Sequence, residues 1–119
     1  MDEQELQALK QEAFNKVWEG LKSQDFKKSV GRHGQCVYRG PNGLKCAAGW
    51  LIDDADYCGW MEGENIYGPA GNYLGKYLPL RDGLIFDLQV AHDGSSILFP
   101  RVEERVRQVA AAHGLTVPA

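Results

Sequence analysis

The chain has 119 residues, 44% of them hydrophobic and 24% charged, which predicts one ordinary globular domain over 1–119 and excludes a disordered chain. Its net charge of −3 gives it no general affinity for nucleic acid or for an anionic membrane. No apolar run is long enough to cross a bilayer, and the acidic start lacks the features of a signal peptide, so a cytoplasmic location without membrane contact is expected.

Helical spacing of apolar residues predicts three helices. Residues 4–22 carry one apolar stripe, with acids crowded in the first turn. Asp82 is a credible N-cap for a helix over 83–92. A last helix is predicted from about 100 to 113, where proline suits the first turn and a glycine follows the end.

Residues 36–54 predict a tight β-hairpin that runs into a short helix. Residues 36–39 are a short β-type run, and 44–45 would be the returning strand. The turn at 40–43 contains Asn-Gly, a strong signal because both residues tolerate positive φ. Residues 46–52 are small and then apolar, as in a short buried helix. The predicted fold class is mainly α (α+β), with helices packed around a small β-hairpin in a single compact domain.

Charge is unevenly distributed in this part of the chain. Residues 21–45 carry six basic residues against one acid, whereas residues 46–66 carry five acids and no base. The two segments either form a basic and an acidic face or neutralise each other after folding, and the second reading is slightly favoured. Arg39 is expected to fix the hairpin by binding loop carbonyls or by pairing with Asp53 or Asp54.

Residues 57–82 are rich in glycine, tyrosine and proline, which predicts a long irregular loop with one helical turn around 72–78. Loops of this length in compact domains tend to be functional or mobile. The aromatic residues of the loop have the amphipathic character of protein interfaces. They form a contact surface or fold back over the short helices, and both readings stay open. Direct nucleic-acid binding by stacking is disfavoured, because the loop is locally acidic.

Cysteine and histidine residues raise a catalytic or metal-binding alternative. His33, Cys36, Cys46 and Cys58 offer the number of ligands that a tetrahedral zinc site needs, but the chain has no Cys-x-x-Cys pair. A catalytic His92 with Cys36 or Cys46 as nucleophile would require these residues to meet in space. Inert or transiently paired thiols are the favoured reading, so no metal and no cofactor are expected.

Two motifs carry a family resemblance. The first lies in residues 36–54, and the second is Leu88-Gln89-x-x-His92-Asp93. The residues that we interpret as the structural motif are Cys36, Tyr38, Arg39, Gly40, Asn42, Gly43, Cys46, Gly49, His92 and Asp93. This pattern resembles a family of small uncharacterised proteins of bacteria, phages and prophages, over about residues 6–115. Trp50 stands where relatives often have a small residue or cysteine, so a metal site that uses a cysteine there fails in this chain.

The resemblance implies a phage-related context and no reaction. The leading hypothesis is a non-enzymatic accessory protein that binds a host protein or nucleoprotein complex, for example as an inhibitor of a defence complex such as a CRISPR effector. Its acidic surface would occupy a basic groove. The expected contact residues are Asp53, Asp54, Asp56, Trp60, Glu62, Glu64, Tyr67, Tyr73 and Tyr77. The alternative is a small enzyme or zinc-binding protein centred on His33, Cys36, Cys46, His92 and Asp93.

Overall fold

The structure is a computed structural model that describes residues 1–32, 34–94 and 97–118. Its longest described helix, α1, spans Glu3–Ser23 and confirms the first predicted helix. The Asp2 carboxylate accepts the Glu5 N–H at 2.8 Å and caps the helix. One face of α1 is buried in the core, and its buried side chains include Phe14, Val17 and Trp18.

The rest of the protein is mainly helical, as predicted. The helix α2 spans Phe86–Asp93 and follows a π-helical turn, Arg81–Ile85, and α3 spans Val102–Ala112. Short 3₁₀ segments span Pro41–Gly43, Ala48–Leu51, Gly59–Met61 and Pro69–Leu80. The helix α1 packs on the Ala48–Leu51 segment, and α2 packs on α3. No helix in the described part of the chain is long and apolar enough to cross a membrane.

The start of the second predicted helix needs a correction. Leu84, Ile85 and Leu88 are buried on one face, as the spacing predicts. Asp82, however, is not the N-cap, because the helical backbone already begins at Arg81 with a π-helical turn. The Asp82 carboxylate instead accepts a hydrogen bond from Arg81 Nε at 3.2 Å.

The predicted β-hairpin is wrong. Its turn exists, with positive φ at Asn42 and Gly43, but the described residues hold only isolated antiparallel bridges, of which Arg39–Lys45 is the one that closes this turn. Side chains replace the missing strand partners. The Gln24 amide bonds both the N–H and the carbonyl of Lys45, at 3.0 and 2.8 Å, and the Glu62 carboxylate accepts the N–H of Arg39. The polar backbone is thus satisfied without a ladder of strands.

The 57–82 stretch is more helical than predicted, because 3₁₀ segments span Gly59–Met61 and Pro69–Leu80, and the second segment contains the predicted helical turn around 72–78. Buried apolar side chains, among them Met61, Ile66 and Leu74, fix these turns against the core. The segment Pro69–Leu80 kinks at Gly75, which has φ 60° and ψ −129°. The segment is therefore fixed to the core, although its local sequence is rich in glycine and proline.

Arg105 joins the two C-terminal helices from a buried position. Its guanidinium donates to the carbonyl oxygens of Ala91, Gly94, Phe99 and Pro100, at 2.7 to 2.9 Å. These carbonyls lie at the end of α2 and in the connection to α3, where helix geometry leaves acceptors without partners. The charge and its donors therefore hold the connection between the helices in place.

Gly49 tests the close packing beneath the 36–45 turn. A Cβ at this position would lie 2.3 Å from the Tyr38 carbonyl oxygen, so Gly49→Ala should lower the free energy of unfolding by about 1–3 kcal/mol. Gly59→Ala is the control, because nothing lies within 4 Å of its Cβ position. Urea unfolding measures both variants, and equal stabilities would contradict the predicted clash.

Candidate functional site

A cleft of about 490 Å³ brings the two sequence motifs together. Cys36, Tyr38 and Cys46 of the first motif line it, and so do Gln89 and Asp93 of the second. These residues lie far apart in the sequence, so only folding gathers them at one place. A cleft of this size is in the range of small-ligand sites, about 300–1,000 Å³.

Gln89 holds the two motifs together. Its Oε1 atom accepts the N–H of Ala48 at 2.8 Å. That N–H lies at the start of the Ala48–Leu51 segment, where helical geometry leaves donors without partners. The glutamine of the second motif therefore fixes α2 against the first motif and shapes the floor of the cleft.

His92 is fully buried. Its Nε2 atom lies 3.0 Å from the Lys27 carbonyl oxygen, and its Nδ1 atom lies 3.4 Å from Asp93 Oδ1. The Asp93 carboxylate also faces the Cys36 thiol.

The two cysteines of the cleft are poor nucleophiles. Burial raises the pKa of the Cys46 thiol to about 12. Burial and the neighbouring Asp93 carboxylate raise the pKa of Cys36 above its usual value. Because the thiolate is the reactive form, both thiols are less reactive at neutral pH than an ordinary cysteine.

The zinc alternative finds no ligand cluster in residues 1–32, 34–94 and 97–118. Nowhere in these ranges do three His, Cys, Asp or Glu side chains come together in a way that would hold a metal ion. His33, one of the candidate ligands, lies outside the described residues.

Glu62 was expected to contact a partner, but its carboxylate is used within the fold. Its Oε1 atom accepts the N–H of Tyr38 at 2.8 Å, and its Oε2 atom accepts the N–H of Arg39 at 3.0 Å and the hydroxyl of Tyr57 at 2.7 Å. With burial, this hydrogen bond raises the pKa of Tyr57 to about 12. The carboxylate is therefore committed to the fold and is not free to bind a partner.

Other acids of this stretch pair with basic residues of α1 and of the basic segment 21–45. Asp54 pairs with Arg39 and with Lys45 Nζ at 3.6 Å, while Asp53 lies 3.8 Å from Lys16 Nζ. The hydrogen bond from Arg39 holds the pKa of Asp54 below its usual range. The predicted pairing of Arg39 with one of these acids is confirmed. The charge segregation seen in the sequence thus ends partly in mutual neutralisation, and Asp56 stays exposed.

Three predicted aromatic residues remain at the surface. Trp60 is 46% exposed and packs edge to face on Tyr73, which is 39% exposed, with ring centroids 5.8 Å apart. Tyr67 is 48% exposed and lies beside Phe86, with centroids 5.9 Å apart. Tyr67 and Phe86 also line the cleft, as does Glu64.

Tyr77 is a second correction to the expected surface. Its side chain is only 5% exposed, and its hydroxyl donates to Glu12 Oε2 at 2.7 Å. Burial and this carboxylate raise the pKa of Tyr77 to about 12. Of the two readings of the aromatic residues, folding back over the core holds for Tyr77.

Sequence reasoning missed Phe86 and Asn65, which both line the cleft. Phe86 is a large apolar residue off the buried stripe of its helix and is 40% exposed. That position was the available signal, since an apolar side chain on the polar face of a helix has to contact something else. Asn65 carried no signal, because its place in the cleft depends on the path of the 59–80 segment.

Comparisons with protein-family models, curated proteins and solved structures found no match for this chain. The fold and the site define a small, mainly helical protein with a cleft whose lining includes two partly exposed aromatic rings together with Glu64 and Asp93.

Glu62→Gln tests the carboxylate network. Glutamine keeps one carbonyl oxygen and turns an NH₂ group towards the backbone donors, so the free energy of unfolding should fall by about 1–3 kcal/mol. Glu64→Gln is the matched control and should stay within about 0.5 kcal/mol of the wild type, because that side chain is exposed. Chemical unfolding compares the two, and similar losses would reject the role of Glu62.

Alkylation rates test the environment of the thiols. The rate at Cys36 should keep rising with pH beyond the range of an ordinary thiol, because burial and Asp93 disfavour the thiolate. Asp93→Asn should move this profile to lower pH, whereas Asp56→Asn should not. Cys46 should react only after unfolding. Iodoacetamide labelling read by mass spectrometry measures each site, and a Cys36 profile unmoved by Asp93→Asn would contradict the contact.

Proposed function

We propose that this chain is a non-enzymatic binding protein of the phage or prophage kind, which docks on a host protein or nucleoprotein complex. The observation that carries this proposal is the exposed pair of Trp60 and Tyr73, packed edge to face. Tryptophan and tyrosine are enriched among the residues that dominate binding energies at interfaces. Two large rings left half in water therefore favour a contact surface.

The two rings are held in place before any partner arrives. Trp60 lies in the 3₁₀ segment Gly59–Met61, and its neighbour Met61 is fully buried. Tyr73 lies in the segment Pro69–Leu80, directly before the buried Leu74. Rings fixed by buried neighbours lose little conformational freedom on binding, which raises the affinity that a small contact area can supply.

Negatively charged residues lie close in the sequence to Trp60. Among the described residues, Asp56 and Glu64 have no basic partner, and both are exposed. Such a surface complements a positively charged groove, including the nucleic-acid site of a defence nuclease. Inhibition of a defence complex, such as a CRISPR effector, is the form of this function that the resemblance of the two motifs to phage and prophage proteins favours.

The alternative, an enzyme or zinc protein centred on cysteine and histidine, has less support. Burial raises the pKa of Cys46 to about 12, and Cys36 is shifted in the same direction. His92 is fully buried, so its ring is out of reach of a substrate in the cleft. A nucleophile and its base would need the opposite arrangement, a reactive thiolate beside an accessible imidazole.

Affinity capture tests the proposed function. Immobilised wild-type protein, offered purified defence complexes and lysate of the bacterial host, should retain a partner, and Trp60→Ala with Tyr73→Ala should weaken that binding by about tenfold or more. Leu6→Ala is the control, because this residue is an exposed apolar side chain on α1. Circular dichroism checks that each variant is folded. The proposal is wrong if the wild type retains nothing, or if the double variant binds equally well.

A further inference from the structure

Two partly exposed aromatic rings line the cleft. They belong to Tyr67 and Phe86, whose ring planes lie 47° apart, and Val37 and Ile66 add apolar lining. Flat aromatic faces attract planar cations, and arginine stacks on them more readily than lysine does. The guanidinium of Arg81 already lies 5.5 Å from the centroid of the Tyr67 ring, so this ring attracts such a group within the protein itself.

The charged side chains among the described residues that line the cleft are acidic. They are Glu64 and Asp93, and these described lining residues include no lysine and no arginine. Lys28 approaches from one side, but its Nζ atom donates to the backbone carbonyls of Asp93 and Gly94, at 3.3 and 3.0 Å. An anionic ligand would meet two carboxylates, and a neutral ligand would leave both of them without a counter-charge.

Asp93 supplies a carboxylate that has no basic partner in hydrogen-bond geometry among the described residues. Its Oδ1 atom is buried and lies 3.4 Å from His92 Nδ1, which is itself without a hydrogen-bond partner in the described ranges. The side chain as a whole is 25% exposed, so a ligand in the cleft that brings N–H groups to the accessible part of this carboxylate gains charge-assisted hydrogen bonds.

The placement of the acceptor groups in the cleft favours one kind of cation. No three metal-ligating side chains converge in the part of the chain that the structure describes, which disfavours a bare metal ion. Glu64 and Asp93 lie on separate segments, and a guanidinium can bond in several directions because it carries five N–H donors in one plane. An ammonium group, a compact point charge, makes less use of flat walls.

From these observations we propose that the cleft binds one arginine side chain presented by a segment of a protein partner. The planar cation lies against the rings of Tyr67 and Phe86 and donates to Asp93, with Glu64 adding negative charge. This assignment deepens the proposed function and rests on it for the source of the arginine, because the host partner would present that side chain.

Short peptides test the cleft without any partner. The probe is acetyl-Gly-Arg-Gly-amide, and its control is the same peptide with citrulline, which keeps the shape and loses the charge. By calorimetry and NMR titration of the full chain, the arginine peptide should bind about tenfold or more tightly than the citrulline peptide. The proposal is overturned if the two bind equally, or if neither binds.

Substitutions locate the binding in the cleft. Asp93→Asn should weaken the arginine peptide by about tenfold, and Glu64→Gln should weaken it less, because Glu64 is exposed. Glu19→Gln removes an exposed carboxylate outside the cleft lining and should leave the affinity unchanged. Thermal unfolding checks each variant. If both cleft variants bind as the wild type does, the assignment fails, and Glu64→Gln decides the matter should Asp93→Asn not fold.

A third probe separates the two sources of a guanidinium. Agmatine carries the same group without a peptide backbone, and binding as tight as that of the tripeptide would overturn the assignment to a protein segment. The result is also distinct from that of the capture experiment, because Trp60 and Tyr73 do not line the cleft. Peptide binding with no captured partner would reject the proposed host contact, whereas capture without peptide binding would reject the arginine site.

Discussion

The rest of the site depends on the hydrogen bonds that the Glu62 carboxylate accepts. It accepts the backbone N–H groups of Tyr38 and Arg39, which have no strand to pair with. These bonds tie the 36–45 turn to the segment that follows Gly59. Tyr38 then donates its hydroxyl to the Glu64 carbonyl at 2.6 Å, so two residues that line the cleft are held to each other. A buried amide without this acceptor would cost more than an ordinary hydrogen bond contributes.

Side chains replace backbone partners elsewhere in the fold as well. Gln24 bonds both polar groups of Lys45, and Gln11 does the same for Thr116, at 2.9 and 2.7 Å. Gln89 accepts the N–H of Ala48, and Arg105 donates to four carbonyls at the end of α2 and in the connection to α3. The protein thereby satisfies an irregular backbone without a sheet. The same amides and carboxylates fix the position of each turn, which gives the cleft a defined shape.

The cleft and the exposed aromatic pair offer two different kinds of contact. Trp60 and Tyr73 offer apolar contact at the surface, while Tyr67 and Phe86 line a cleft that carries negative charge. Cys36 lies in that cleft with a raised pKa, which suits packing against a ligand better than attack on one.

The sequence by itself determined α1, α3, the buried face of α2, the positive φ values at Asn42 and Gly43, and the pairing of Arg39 with a nearby acid. Each of these follows from periodicity or from chemistry within a short stretch of chain. Tertiary structure alone decided that Glu62 and Gln24 would replace strands, that Tyr77 would be buried, and that Cys36 and Asp93 would share a cleft. Those outcomes depend on residues far apart in the sequence. The packing of the core determines which unsatisfied backbone group comes within hydrogen-bond distance of a given side chain.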